Sequence, residues 1–420
     1  MQVLQVNIGD TAAYGGASVA AYRLHRALLR SGGDSRMLVQ HKSRGDPTVL
    51  ITSNRITKLL TKLSLQTKLD TDWILRFYRN RPNTQWSVNW LPSGLGRQVS
   101  QINPDIVHFH WVGRGLTSIR EIGKLRMPLV WTLHDSWAFT GGCHYPYECF
   151  RYEEKCGLCP QLASNSEHDL SRRVWGLKNK AYKKPSVAVV TPSQWLGACA
   201  KASSLLRDKH IEVIPNTLDL NRYKPLDRRF AREVLALPQD KKLVLFGAVQ
   251  STSDPRKGFQ YLQEAFQALE RNAKFKHLFE LVVFGSSDTT LERETGLPVH
   301  YLGYIHDDIS LAIVYSAADV FAAPSVQDNL PNTVLEALAC GVPCVTFNVG
   351  GFSDMIEHKK NGYLAQPFES KDLATGIEWV IEDAARWEDL SRLARRTVET
   401  KFSEEVIAQK HMELYESLLG

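Results

Sequence analysis

Short apolar segments recur along the chain, and each is separated from the next by a longer stretch of mixed polarity. The first series occupies residues 3–6, 106–109, 129–133 and 187–190. The second series occupies residues 243–246, 281–284, 320–323 and 344–347. Runs this short and this apolar predict strands that are buried on both faces of a parallel sheet.

Helical segments, such as residues 258–269 and 332–339, lie between these predicted strands. Strands that alternate with helices predict α/β architecture. The two series are separated near Pro192 and Pro215, and proline moves the residue before it out of helical conformation. We therefore expect one Rossmann-like domain over residues 1–192 and a second from residue 193 onwards.

Composition and charge narrow the class of protein. The chain has 420 residues, of which 43% are hydrophobic and 23% charged, as in a soluble globular protein of two domains. The start of the sequence lacks the pattern of a signal peptide, and no apolar run is long enough to span a bilayer, so we expect a cytoplasmic protein. The net charge of +6 suits phosphate-bearing ligands or an anionic membrane surface, but it is too small to indicate nucleic acid.

Residues 51–90 depart from the alternating pattern. Seven basic and two acidic side chains give this segment a net charge of 7 − 2 = +5. Its aromatic residues are Trp73, Phe77, Tyr78, Trp86 and Trp90. Two interpretations stay open: a solvated helical excursion, or a patch that contacts the inner face of the membrane peripherally.

The strongest chemical signal lies at residues 323–343. A predicted strand ends near Ala323, a polar loop follows, and a helix begins at Pro331 or Asn332. Because the first N–H groups of a helix lack intrahelical partners, they can bind phosphate oxygens or sugar hydroxyls. Glu336 lies near the first turn, where its carboxylate can accept hydrogen bonds from a ribose diol.

Asp328 and Glu336 are separated by seven residues, and Glu-Ala-x-Ala-x-Gly-x-Pro follows from residue 336. Further motifs lie in fixed order at residues 213–219, 254–258, 301–304, 350–354 and 361–363. Together they resemble glycosyltransferase family 4, a large family of retaining enzymes with the GT-B fold. That family includes bacterial enzymes of capsule, exopolysaccharide and lipid-linked glycan assembly.

The resemblance implies two Rossmann-like domains that face a cleft. The N-terminal domain, residues 1–192, would bind the acceptor, and the C-terminal domain, residues 193–402, would bind the nucleotide-sugar. A last helix over residues 403–420 would cross back to the first domain. The implied reaction moves a hexose from a nucleotide-diphosphate sugar to a hydroxyl of a sugar or a lipid-linked acceptor, with retention of configuration and no catalytic metal. A non-catalytic nucleotide-sugar binding protein, a GT-B epimerase and a phosphorylase are the alternatives.

The resemblance also assigns residues to the donor. Lys257 matches the lysine that meets the diphosphate, and Asp328 replaces the glutamate usual in the family. The family's Gly-Arg is absent, since Ala248 follows Gly247, and we expect Arg256 to take its place. The full donor-binding set is Gly15, Gly16, Arg256, Lys257, Tyr304, Asn329, Leu330, Pro331 and Glu336. An exposed Lys257 and an Asp328 that only caps the helix are the simpler alternatives.

In the N-terminal half, His134 ends a predicted strand, and by resemblance it contacts the transferred sugar, with Asp135 as its neighbour. We expect His134, Lys257 and Asp328 to be the catalytic residues. His108 and His110 alternate along another strand, which favours a structural role.

Four of the seven cysteines, Cys143, Cys149, Cys156 and Cys159, lie in one short segment after His134. The Cys-x-x-Cys spacing at its end is typical of a metal knuckle, and four thiolates can bind a structural zinc ion. Free thiols and two disulfides are the alternatives, although a cytosolic protein disfavours stable disulfides.

Overall fold

The computed structural model describes residues 1–52, 73–183, 186–247, 254–272, 277–286 and 297–420. Ala248 and most of the charged part of the basic segment, residues 53–72, lie outside the described residues. The chain divides into two compact units, Met1–Pro215 with Ala408–Gly420, and Asn216–Ile407.

The described strands of the first unit form a seven-stranded parallel sheet in the order β3-β2-β1-β4-β5-β6-β7. Its strands are β1 Gln2–Gly9, β2 Asp34–His41, β3 Val49–Ile51, β4 Ile106–Phe109, β5 Leu129–Thr132, β6 Val187–Thr191 and β7 His210–Val213. Strands β4, β5 and β6 are buried along their whole length, as their continuous apolar runs predict.

The described strands of the second unit form a six-stranded parallel sheet in the order β10-β9-β8-β11-β12-β13. Its strands are β8 Lys242–Gly247, β9 Phe279–Phe284, β10 Val299–Tyr301, β11 Val320–Ala323, β12 Cys344–Phe347 and β13 Gly362–Ala365. All eight predicted strands are present, and the prediction of two parallel α/β sheets is confirmed.

Helices connect the strands of both sheets. In the first unit they are α1 Gly16–Arg30, α2 Leu95–Ile102, α3 Ile119–Ile122, α4 Leu170–Ala181 and α5 Gln194–Ala202. In the second they are α6 Arg228–Val234, α7 Phe259–Arg271, α8 Asp308–Ala317, α9 Asn332–Ala339, α10 Phe352–Met355, α11 Ser370–Ile381 and α12 Ala384–Lys401, and α13 Glu404–Leu419 follows. Apolar side chains between helices and sheet form the core of each unit.

The first unit extends beyond the boundary expected after residue 192. Strand β7 pairs with β6 from Ala188 to Thr191, so the segment up to Pro215 completes the first sheet. The two prolines mark the turns on either side of this last strand and helix, which the sequence pattern did not separate. The C-terminal residues from Ala408 onwards also belong to the first unit.

Both sheets reverse their strand order at one point, between β1 and β4 in the first unit and between β8 and β11 in the second. Open α/β sheets bind ligands outside the carboxyl ends of the strands at such a switch point. The loops that follow β1, β4, β8 and β11 are therefore where the fold places a site in each unit.

Candidate active site

In the second unit, two cations converge on one carboxylate beside the switch point. The Nζ atom of Lys257 donates to Oδ2 of Asp328 at 2.7 Å, and Nη1 of Arg256 donates to the same oxygen at 3.1 Å. The backbone N–H of Asn329 donates to Oδ1 at 3.0 Å. Lys257 lies in the turn before α7, and Asp328 lies in the loop after β11. An ion pair between them therefore links these two segments.

The charge of Asp328 follows from this arrangement. Burial would raise the pKa of this carboxyl, but the adjacent Lys257 and Arg256 charges and the hydrogen bonds outweigh burial, so its pKa lies below the ordinary 3.8. Asp328 is thus an anion at neutral pH, and one of its carboxylate oxygens forms ion pairs with both Lys257 and Arg256.

Two glycines allow the backbone to pack closely here. Gly258 has a φ of 68°, and a Cβ atom on it would stand 2.0 Å from the carbonyl oxygen of Pro324. Gly350 has a φ of 55°, and its Cβ would stand 2.0 Å from the carbonyl oxygen of Asp328. Any larger residue would push the Asp328 loop away from Lys257.

Helix α9 begins after Pro331, its N-cap residue, whose side chain cannot accept a hydrogen bond. The Asp328 carboxylate accepts from Lys257, Arg256 and the Asn329 N–H. Capping of this helix alone does not account for those contacts. Asn216 supports the approach to the helix, since its Nδ2 donates to the Leu330 carbonyl at 3.3 Å and to Oδ1 of Asn332 at 3.2 Å. The N-terminus of α9 can receive an anion.

Glu336 is buried, with 4% of its surface exposed. The hydroxyl of Tyr315 donates to its Oε2 at 2.8 Å. Burial, and then the nearby Glu336 carboxylate, raise the pKa of Tyr315, so that residue stays a donor. The sequence did not single out Tyr315, because an aromatic residue in an apolar helix is expected to be a residue of the hydrophobic core.

The other residues predicted to bind the donor differ in their contacts and burial. Arg256 contacts Asp328, the Gln327 carbonyl at 3.3 Å and Asp254 at 3.0 Å, so its guanidinium is held beside the carboxylate. Asn329, Leu330 and Pro331 form the buried end of the loop. Tyr304 is 50% exposed, in the loop after β10.

In the first unit, the glycine-rich loop after β1 leads into α1. Gly15 has a φ of 90° and is the N-cap of this helix, with no side-chain cap. Gly16 is its first residue. Open space surrounds the Cβ direction of Gly15.

His134 follows β5 and is partly buried. Its Nε2 lies 3.0 Å from Nδ1 of His110, and the two rings are stacked. Burial lowers the pKa of His134 to about 4, although the nearby Asp135 charge opposes that change. The imidazole is therefore neutral at physiological pH.

Asp135 faces the cysteine segment instead of sharing the role of His134. Its Oδ2 accepts from Nδ1 of His144 and from Nε1 of Trp111, both at 2.7 Å, and its Oδ1 accepts from the Trp137 N–H at 2.8 Å. Because His144 adjoins Cys143, Asp135 ties the end of β5 to the cysteine segment. His108 and His110 are buried, as their alternation indicates.

Cys143, Cys149, Cys156 and Cys159 line one cavity, and all are free thiols, so the two-disulfide alternative is not what this structure contains. Burial is the main cause that raises the pKa of Cys143, Cys156 and Cys159. Across the described ranges, no group of three or more His, Cys, Asp or Glu side chains is arranged to hold a metal ion. The four thiols are therefore not placed here as the tetrahedral ligand set that a structural zinc ion needs.

The aromatic residues of the basic segment divide into two groups. Trp86 is buried and Trp90 partly buried, and the Tyr78 hydroxyl accepts from the Leu170 N–H at 3.1 Å. Trp73 and Phe77 are 38% and 74% exposed. Trp86 thus belongs to the core of the first unit, with Trp90 and Tyr78 packed against it, and Trp73 and Phe77 stay exposed. In the part of the chain that the structure describes, no helix has the length and apolar character of a membrane span.

Two family models match the chain. The model for Glycosyltransferase Family 4 matches residues 14–222, and that for Glycosyl transferases group 1 matches residues 240–383. An uncharacterized glycosyltransferase of Methanocaldococcus jannaschii, MJ1607, is 28% identical over 65% of this chain and 70% of its own length. A D-inositol 3-phosphate glycosyltransferase of Rhodococcus opacus is 32% identical over 49% of this chain, and the match spans 47% of that relative.

Solved structures agree on the fold over the whole chain. A sucrose-phosphate synthase from Thermosynechococcus elongatus has a TM-score of 0.69 at 20% identity, with 100% of this chain and 99% of that chain covered. Anabaena HepE has a TM-score of 0.63 at 18% identity, with 99% and 100% covered. The chain belongs to the group 1 glycosyltransferases of family 4, and its fold is GT-B.

Proposed function

We propose that this protein transfers a hexose from a nucleotide-diphosphate sugar to an acceptor hydroxyl with retention of configuration. The bond between the anomeric carbon and the diphosphate oxygen breaks, and a bond to the acceptor oxygen forms on the same face of the sugar. The hydroxyl proton passes to the departing diphosphate, which leaves as the nucleoside diphosphate.

The observation that carries this proposal is the convergence of Lys257 and Arg256 on Asp328 beside the switch point of the second sheet. Negative charge grows on the diphosphate as the glycosidic bond breaks, and cations already held in place stabilise it most. The N-terminus of α9, which follows the N-cap residue Pro331, lies in the same loop region and brings backbone N–H groups to it. In this proposal these groups offset the diphosphate charge without a metal ion.

Each remaining predicted residue has one role in the proposal. Glu336 accepts hydrogen bonds from the ribose, and the Tyr315 hydroxyl orients its carboxylate. Asp328 keeps Lys257 in place until the diphosphate arrives. The Gly15 and Gly16 loop offers backbone N–H groups to the donor, and His134 contacts a sugar hydroxyl.

The donor class has support from a structure of the same fold. The Anabaena HepE structure contains UDP and glucose. We therefore propose a nucleotide-linked hexose as donor, and a sugar or a lipid-linked sugar as acceptor, in polysaccharide or glycolipid assembly. For the lipid-linked acceptor, the exposed Trp73 and Phe77 flank Arg76 in one short turn, a combination that suits an anionic membrane surface.

A non-catalytic nucleotide-sugar binding protein and an epimerase are the competing functions. Radiolabelled UDP-, GDP- and ADP-hexoses are first ranked by their thermal stabilisation of the purified protein. The best donor is then incubated with candidate acceptors, and products are separated by chromatography. Label in a new glycoside supports transfer, label in an isomeric nucleotide-sugar supports epimerisation, and binding without conversion supports the binding protein. The NMR spectrum of the product linkage tests retention.

A further inference from the structure

A buried chain of hydrogen bonds in the first unit extends from His134 to the first strand. Nδ1 of His110 lies 3.0 Å from Nε2 of His134, and Nε2 of His110 lies 2.6 Å from Oε1 of Gln5. Gln5 and His110 are buried. Neither residue has a role in the proposed function.

The strands bring these side chains together. Gln5 on β1 is the register partner of His108 on β4. His110 directly follows β4 and is two residues after His108, so the two side chains share one face. Their rings stack with centroids 4.4 Å apart. The His110 N–H donates to the Val6 carbonyl at 3.0 Å, which fixes the backbone beside Gln5.

The hydrogen-bonding capacities of these groups determine where the protons lie. Burial lowers the pKa of His110 and of His134, so both rings are neutral, and each has one N–H donor and one acceptor nitrogen. Oε1 of Gln5 only accepts, so Nε2 of His110 carries the proton. Nδ1 of His110 is then the acceptor, so the proton between the two rings belongs to Nε2 of His134.

The other side of Gln5 agrees with this assignment. Its Nε2 donates to the Tyr415 hydroxyl at 3.4 Å. That hydroxyl lies 2.6 Å from Nδ1 of His108, and Nε2 of His108 lies 2.7 Å from Oγ1 of Thr132. With the Gln5 carboxamide in the orientation found here, Oε1 toward His110 and Nε2 toward Tyr415, every hydrogen bond in the chain has a donor and an acceptor.

We propose that Gln5, acting through His110, fixes His134 in the tautomer that is protonated at Nε2, so that Nδ1 is a hydrogen-bond acceptor for a substrate hydroxyl. Among the described residues, Nδ1 of His134 has no hydrogen-bond partner. Gln5 and His110 are positioning residues. The role of Nδ1 toward substrate rests on the proposed function, whereas the tautomer does not.

Selective ¹⁵N labelling of histidine in the full-length protein tests the tautomer, because long-range ¹H–¹⁵N correlation spectra distinguish a protonated ring nitrogen from an unprotonated one. The His134 signals are assigned by comparison with His134→Asn. We expect wild-type His134 to be protonated at Nε2. A wild-type spectrum with the proton on Nδ1 overturns the proposal without any other variant.

Gln5→Leu removes the acceptor, and we expect the ratio of the two His134 tautomers to fall by roughly tenfold, as for the loss of one hydrogen bond. Gln5→Glu keeps an acceptor-only group toward His110 and should keep the wild-type tautomer. Thr132→Val is the matched control, since it removes a buried hydroxyl that contacts His108 but not His110. An unchanged ratio in a folded Gln5→Leu protein contradicts the proposal.

The same variants separate this inference from the proposed function. We expect Gln5→Leu to lower kcat/KM while the Kd for the nucleoside diphosphate stays at its wild-type value. If the wild-type protein transfers no sugar, the proposed function fails while the NMR result still decides the tautomer.

Discussion

Lys257 and Asp328 form an ion pair at 2.7 Å between two loops that are 71 residues apart in the chain. The pair joins the turn before helix α7 to the loop before helix α9. Its charges therefore stabilise the local fold as well as serving the proposed chemistry, and experiments have to separate the two effects.

Replacing Lys257 with alanine should affect catalysis more than folding. We expect kcat/KM to fall by roughly 10²–10³-fold, as when one fixed donor to a developing charge is removed. Arg256 still neutralises Asp328, so the melting temperature should change little. Lys360→Ala is the control, because Lys360 forms an exposed ion pair with Glu357 in the same unit. Wild-type activity with a lowered melting temperature would make Lys257 purely structural.

Asp328→Asn should change how stability depends on pH. The folded-state pKa of Asp328 lies below its ordinary 3.8, so its charge stabilises the fold above that value, and the benefit is lost as the pH falls through the lower folded value. We expect the difference in unfolding free energy between wild type and variant to be largest near neutral pH and to shrink in acid. Urea titrations across this range measure it, with the exposed Asp389→Asn as control. A difference that is independent of pH would contradict the assigned charge.

Glu336→Gln should weaken donor binding, because the ribose loses a charged acceptor. Hydrogen bonds to charged groups contribute about 1.5–3 kcal/mol, so the Kd should rise by roughly 10- to 100-fold in calorimetry. Glu264→Gln, at an exposed site on α7, is the control. Unchanged affinity would exclude Glu336 from donor binding.

The cysteine cavity gives a prediction about reactivity. Cys143, Cys156 and Cys159 are buried with raised pKa values, so we expect a thiol reagent at neutral pH to modify them no faster than the protein opens. The partly buried Cys149 should react sooner. Mass spectrometry of proteolytic fragments at timed intervals measures each site. Metal analysis of the same sample tests the zinc prediction, and one bound equivalent would require the thiols to rearrange.

The exposed aromatic pair provides a test of membrane contact. We expect the protein to cosediment with anionic vesicles at low salt, and we expect the double change Trp73→Ser and Phe77→Ser to reduce that binding. Phe230→Ser is the control, since Phe230 is 55% exposed on the second unit. If the protein does not bind vesicles at low salt, the membrane proposal is contradicted. The same holds if the double variant binds as well as the Phe230→Ser control.

The sequence predicted the elements that are buried on both faces and missed those that are not. Strands β4, β5 and β6 are continuous apolar runs, so burial and sequence coincide. Strand β7 is an edge strand with an exposed or half-exposed sequence, His-Ile-Glu-Val, and carries no such signal. Edge strands gain from pairing with a neighbour, which a single segment does not reveal.

At the site, the sequence predicted which residues take part but not which side chains contact one another. The motif predicted that Lys257, Asp328 and Glu336 bind the donor. It did not predict that Lys257 pairs with Asp328 across two loops, or that Tyr315 on α8 donates to Glu336 on α9. The alternation of His108 and His110 indicated a shared face. It did not indicate that His110 contacts His134, because that contact depends on the neighbouring strand.

The assignment of residues from Ala408 onwards to the first unit has a consequence for how the protein is made. Tyr415 lies on the last helix and supplies the hydroxyl that His108 and Gln5 contact. A ribosome completes the first unit's sheet strands, then all of the second unit, before it synthesises Tyr415. Although domains generally fold from the N-terminus during translation, the interior of this unit is complete only after Tyr415 has been synthesised.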